Sequence, residues 1–85
     1  MSELQNYRDE IDQIDQELTR LVESRFNVVK KVGQYKKEHH LPVLDAAREE
    51  DVIKRNQDRL KNKEYSKDIA SFYELLMQVT KDMQK

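Results

Sequence analysis

Apolar residues recur along the first part of the chain in steps of three and four. Leu4, Tyr7, Ile11, Ile14, Leu18 and Leu21 fall in one row, the spacing that stacks side chains along one face of an α-helix. The next step lands on Arg25, after which the row resumes at Val28, Val32 and Tyr35. The pattern predicts one long amphipathic helix over Leu4–His39, with Ser2 placed to cap it. Leu41-Pro42 closes it, because the residue before a proline is pushed out of the α region. A charge set into an apolar row must be paired, solvated by its neighbours, or held ready for an anion.

After Pro42 to Leu44, Asp45 reads as the N-cap of a second helix running to about Asn62, with Ala46 and Ala47 in its first turn. Its apolar face is thin: Val52, Ile53 and Leu60, with Asn56 between them. Followed backwards, that face reaches Glu49, Arg48 and Asp45. Lys61 to Glu64 reads as a polar turn, and Ser66 as the cap of a third helix that continues to the last residues. Tyr65, Ile69, Phe72, Leu76, Val79 and Met83 form its stripe, flanked by Tyr73, Leu75 and Met77. Thr80 and Gln84 stand four apart on one edge of it.

The first helix is long for its chain. About 36 residues at 1.5 Å each make about 54 Å, whereas a compact body of this size has a radius of gyration near ~12 Å and spans about 30 Å. Such a helix projects beyond its own domain, and the cheapest cover for its stripe is a second copy related by two-fold symmetry. The expectation is an obligate homodimer whose chains share one core. Gly33, inside this helix, is either a tolerated weak point costing about 1 kcal/mol or a place of close approach by another backbone or a ligand.

Composition narrows the class. The chain of 85 residues is expected to form one domain, residues 1–85, small enough to bury only about 60% of its unfolded surface. One glycine and one proline leave few strand or turn signals, so the fold class is all-α: three helices per chain, intertwined in a homodimeric bundle. Charged residues make up 39% of the chain but cancel to a net charge of −1, which argues against nucleic-acid binding. The sequence holds no cysteine, consistent with a cytoplasmic setting. It also holds no apolar run long enough for a membrane span and nothing like a cleavable signal.

The chemistry gathers on the second edge of the first helix: Leu18, Val22, Arg25, Val29, Val32, Lys36. Arg25 and Lys36 share that face about 16 Å apart along the axis, and both side chains can lean towards a small dianion about 6–8 Å across. Arg8 lies on the same edge but too far away within one chain; in an antiparallel dimer it reaches the partner's site. Arg48, the carboxylates of Asp45 and Glu49, and the neutral donors Thr80 and Gln84 complete the set. There is no serine–histidine pairing, Gly-rich phosphate loop or metal-ligand cluster. The expected chemistry therefore uses no metal and no cofactor, and rests on orientation and electrostatics. The plainer alternative is that Arg25, Arg48 and Glu49 form an interhelical ion-pair network that fixes register, with Thr80 and Gln84 merely solvated. His39-His40 reads as an interaction with the negative end of the helix dipole rather than as a metal site.

In order, Arg8, Ile11-Asp12, Ile14-Asp15, Leu18, Leu21, Arg25, Val32-Gly33, Lys36, Pro42-Val43, Asp45, Arg48, Glu49, Thr80 and Gln84 make a specific set. With it the sequence closely resembles the all-helical class of chorismate mutases over essentially its whole length. The resemblance implies an intertwined homodimer with two active sites, each built from both chains. It also implies an intramolecular Claisen rearrangement of chorismate to prephenate, on the shikimate route to phenylalanine and tyrosine. Arg25, and Arg8 of the partner subunit, would clamp the two carboxylates; Lys36 and Gln84 would donate to the ether oxygen. Glu49 and the Asp45 region would hold the ring hydroxyl, with Arg48 and Thr80 completing the pocket. Leu44 departs from relatives that carry an arginine there, and Gln84 from those that carry a glutamate. Two other readings stay open: an isochorismate–pyruvate lyase, which is similar in fold and pocket, and a non-catalytic dimeric helical regulatory module. A complex with another pathway enzyme is a further expected partner, and no amino-acid-binding regulatory domain is expected within these residues. The Gln84 turn is expected to fray until ligand or partner contacts order it.

Overall fold

Ser2 starts the first helix as expected. Its extended backbone turns the hydroxyl back to accept the Gln5 N–H at 3.1 Å, satisfying a donor that a helix's first turn leaves free. In the computed structural model, which describes residues 2–85, helix α1 spans Glu3–Glu38. Helix α2 spans Ala46–Arg59, a short 3-10 turn covers Lys63–Tyr65, and helix α3 spans Ser66–Gln84. The described residues contain no strand. The all-α class and the three helices agree with the sequence reading.

The ends of the helices differ from expectation in instructive ways. Helix α1 stops before Pro42 can act on it. His40 takes a left-handed conformation at φ 55°, the His40 N–H donates to the Lys37 carbonyl, and the Leu41 N–H donates to the Lys36 carbonyl at 2.8 Å. This is a Schellman closure with histidine where glycine is commonest. His39 Nδ1 meets the Tyr35 carbonyl at 2.9 Å, and the two rings stack at 4.0 Å, so His39 does lie against the last carbonyls of α1. Asp45 caps α2 through the Arg48 N–H at 3.0 Å. That helix ends at Arg59 rather than Asn62, because Lys63 Nζ folds back onto the carbonyls of Gln57 and Asp58. Ser66 is not the cap of α3. Asn62 takes a capping role one turn earlier, accepting the Glu64 N–H at 3.0 Å, and the 3-10 turn leads straight into α3.

Helix α3 packs against both α1 and α2. The interior this creates is thin: Gly33, Val52, Met77 and Thr80 are buried. Met77, expected at the flank of the α3 stripe, is its most buried apolar residue, while Phe72 and Val79 are 40% and 45% exposed. Helix α3 thus has two apolar faces, one used within the chain and one open. The α1 stripe is open as well, from Leu4 to Tyr35, with Ile14 63% exposed. The chain measures 56 × 25 × 16 Å with a radius of gyration of 16.1 Å, well above the ~12 Å of a compact body this size.

One contact fixes how α3 ends. A Cβ on Gly33 would lie 2.9 Å from Gln84 Cα and 3.0 Å from the Gln84 carbonyl oxygen. Of the two readings of Gly33, close approach by another backbone is the one found. Because main chain and not a flexible side chain would be struck, Gly33→Ala incurs about 2–3 kcal/mol of overpacking against about 1 kcal/mol of gained helix propensity. The urea midpoint of Gly33→Ala falls accordingly, by about 1–2 kcal/mol of stability; an unchanged or raised midpoint would show that these backbones do not touch.

Candidate active site

Three residues after Gly33, and so nearly one turn on, Lys36 enters the same helix junction. Its Nζ donates to the Val43 carbonyl at 2.9 Å and to Gln84 Oε1 at 2.8 Å. One ammonium thus joins α1, the α1–α2 connection and the last turn of α3. An ammonium can only donate, so it fixes the Gln84 amide: the oxygen turns to Lys36 and the Nε2 donors stay free. The turn expected to fray finds an anchor within the chain, on Gly33 and Lys36.

Around this junction lies a cavity of about 270 Å³. Val28, Val29, Val32, Val43, Val52 and Met77 supply its apolar surface. Arg25, Lys36, Asp45, Arg48, Glu49, Thr80, Lys81 and Gln84 supply its polar groups. Seven of the eight candidate residues named from the sequence therefore meet at one place. Arg8 does not: it stands 17 residues before Arg25 on α1, about 25 Å along the axis, and is exposed.

Arg25 is the most telling of the seven. Its Nη1 is buried and has no hydrogen-bond partner. A buried charged donor left unpaired costs more than the ~1–3 kcal/mol of an ordinary orphan, which makes it a group waiting for an acceptor. The ion-pair network offered as the plainer alternative is not what forms. Arg48 pairs with Asp51 at 3.3 Å on the surface, and Glu49 pairs with Lys81 at 3.5 Å.

Thr80 and Gln84 are not merely solvated. Thr80 is 3% exposed, and its hydroxyl donates to the Met77 carbonyl at 3.1 Å. Its proton is spent within α3, so towards the cavity it presents an acceptor oxygen. Asp45 lines the cavity while capping α2. Leu44 is exposed and is not part of the lining.

Sequence reasoning missed Lys81. It lies four residues after Met77 and three before Gln84, a helical spacing that places it on the cavity side of α3. A lysine near the polar end of a helix reads as solvated, and only the packing of α2 brings Glu49 to meet it. Alongside the main cavity, Arg25 and Arg48 also border a second recess with Arg55, Arg59, Asn56 and Tyr73, so positive charge extends outwards from the site.

The sequence matches the family described as chorismate mutase type II over residues 7–85. The bifunctional chorismate mutase/prephenate dehydratase of Aquifex aeolicus (strain VF5) is 36% identical over 55 residues, which are 65% of this chain and 15% of that protein. The chain therefore corresponds to a small part of that relative's length. Among solved structures, a conserved hypothetical protein from Pyrococcus furiosus superposes with a TM-score of 0.82 at 30% identity, covering 100% of this chain and 99% of that one. Fold, cavity and sequence match agree, and the chain belongs to the chorismate mutase type II family.

Proposed function

We propose that this chain, a chorismate mutase by family, rearranges chorismate to prephenate in the cavity between α1, α2 and α3. The carrying observation is the buried, unpartnered Nη1 of Arg25 in a pocket whose four cations outnumber its two carboxylates. The excess of two positive charges matches a substrate with two carboxylates. The reaction is unimolecular. It needs the substrate held in a compact chair while negative charge grows on the ether oxygen as its C–O bond breaks.

Arg25 takes one carboxylate. Lys36, with two of its protons committed to Val43 and Gln84, has a third for the ether oxygen, and the Gln84 amide nitrogen donates beside it. These bonds strengthen as charge develops, which is the condition for raising the rate rather than merely binding. Glu49 accepts from the ring hydroxyl, which it and the Asp45 region hold, and Arg48 and Thr80 complete the enclosure. The chain's own residues suffice for these steps.

The second carboxylate falls to Arg8 of a partner subunit. Support comes from the open α1 stripe and the open face of α3, which a second copy would cover in an antiparallel homodimer with shared sites. A cytoplasmic location suits a cysteine-free enzyme of this route, and no helix among the described residues is long and apolar enough to cross a membrane. The bifunctional relative supports a working association with another enzyme of aromatic amino-acid synthesis.

The deciding assay is loss of chorismate absorbance on adding the protein, with prephenate identified as product. Pyruvate released from isochorismate would instead assign a lyase, and no turnover of either a binding module. Lys36→Ala removes a transition-state donor and lowers kcat by about 10²–10³; near-normal turnover would displace Lys36 from the site. Gln84 donates without titrating, so wild-type activity persists through neutral and mildly alkaline pH, and a steep loss above about pH 6 would contradict its role. Light scattering gives twice the 10.3 kDa chain mass. Inactive Arg8→Ala and Arg25→Ala variants, mixed and allowed to exchange, recover about a quarter of wild-type activity, because half the dimers carry one intact site. A monomer mass, or no recovery in dimers shown to exchange, would sink the shared site.

A further inference from the structure

Lys81 is the cavity's remaining cation, and the reaction as derived gives it no task. It faces Glu49 across the junction of α3 and α2, with Nζ 3.5 Å from Oε1. The two side chains are 34% and 28% exposed, more sheltered than the surface pairs Arg20–Glu17 and Arg48–Asp51. Glu49 has a difficulty of its own. It is a carboxylate in the wall of a pocket that must accept two more, and nearby like charges oppose one another.

We propose that Lys81 is a positioning residue for substrate binding: it holds Glu49 by Oε1, cancels its charge, and leaves Oε2 set to accept the ring hydroxyl of chorismate. This rests on the reading of the cavity as a chorismate site. Without Lys81 the Glu49 charge is no longer offset by a cation beside it, and it opposes the incoming dianion. Without the anchor at Oε1, Glu49 is also free to swing to solvent or to Arg48, its neighbour on α2. The specificity consequence is that the α2 wall selects a ligand bearing a hydroxyl donor at that position.

The ring hydroxyl stands on the carbon next to the ether carbon, but its own bonds neither break nor form in the rearrangement, so most of its contact is common to the ground state and the transition state. Loss of Lys81 therefore appears in KM. The experiment measures kcat and KM for chorismate in wild type, Lys81→Met, Lys81→Arg, Glu49→Gln and the Lys81→Met/Glu49→Gln double variant. Lys81→Met raises KM about tenfold while kcat changes less than about threefold. Lys81→Arg, which keeps the charge, recovers most of that loss. In the Glu49→Gln background, Lys81→Met adds less than about twofold in KM, because its partner is already neutral.

Independent, multiplying effects of the two substitutions would overturn the proposal, as would a Lys81→Met enzyme with wild-type KM or no recovery by Lys81→Arg. Circular dichroism checks each variant for helix content, and Lys81→Gln replaces Lys81→Met if the latter alters the fold. A wild-type protein that does not turn over chorismate would overturn the underlying reading and this proposal together. Wild-type turnover with an indifferent Lys81 overturns this proposal alone.

Discussion

A single ammonium group holds the functional end of this molecule together. Lys36 Nζ reaches the carbonyl of Val43 in the connection and the amide oxygen of Gln84 at the end of α3. Without that tie, the connection, the start of α2 and the last turn of α3 would be joined to α1 mainly by a thin apolar interior of Val52 and Met77. The bond also settles a chemical question, since it decides which end of the Gln84 amide is presented. Structural support and preparation of the site are one interaction here, a direct way to hold a donor in place before a ligand arrives.

The same helix that carries Lys36 carries an apolar row the chain does not cover. A 36-residue helix cannot fold back on itself, and two shorter helices cannot shield its full length. Hydrophobic area left in water at Ile11, Ile14 and Leu21 would gain about 25 cal/mol for each Å² removed from it. Length, open stripe and missing clamp at Arg8 point the same way. On the proposed reading, cover for the stripe and a second arginine come from the same partner chain.

Much of this was legible in the sequence. The steps of three and four from Leu4 to Tyr35 marked α1 to within a residue at each end, because an apolar row of about nine turns leaves little room for another reading. The cap at Asp45 was plain for a local reason: its carboxylate sits three residues before the N–H it accepts. Seven of the eight candidate residues could be grouped because helical spacing puts them on known edges, and these seven line one cavity. Three features were hidden. The Schellman turn at His40 needs a histidine in a left-handed conformation, which no pattern announces. The replacement of Ser66 by Asn62 as the capping residue depends on a short 3-10 turn. The Lys81–Glu49 pair joins different helices, so it exists only once α2 and α3 have packed. Local rules reach along a helix and stop at the gap between two.

The contact of Gly33 with Gln84 has a consequence for how such a protein can change over generations. The two positions lie on different helices and far apart in the sequence, yet no side chain of any kind fits at the first while the second keeps its backbone where it is. Drift at position 33 is therefore judged through the chemistry at position 84. Glutamine can be exchanged there without strain at Gly33 if the main chain stays where it is, whereas filling the glycine displaces the main chain that carries the Gln84 amide. A change of side chain at the first position is thus felt at the second.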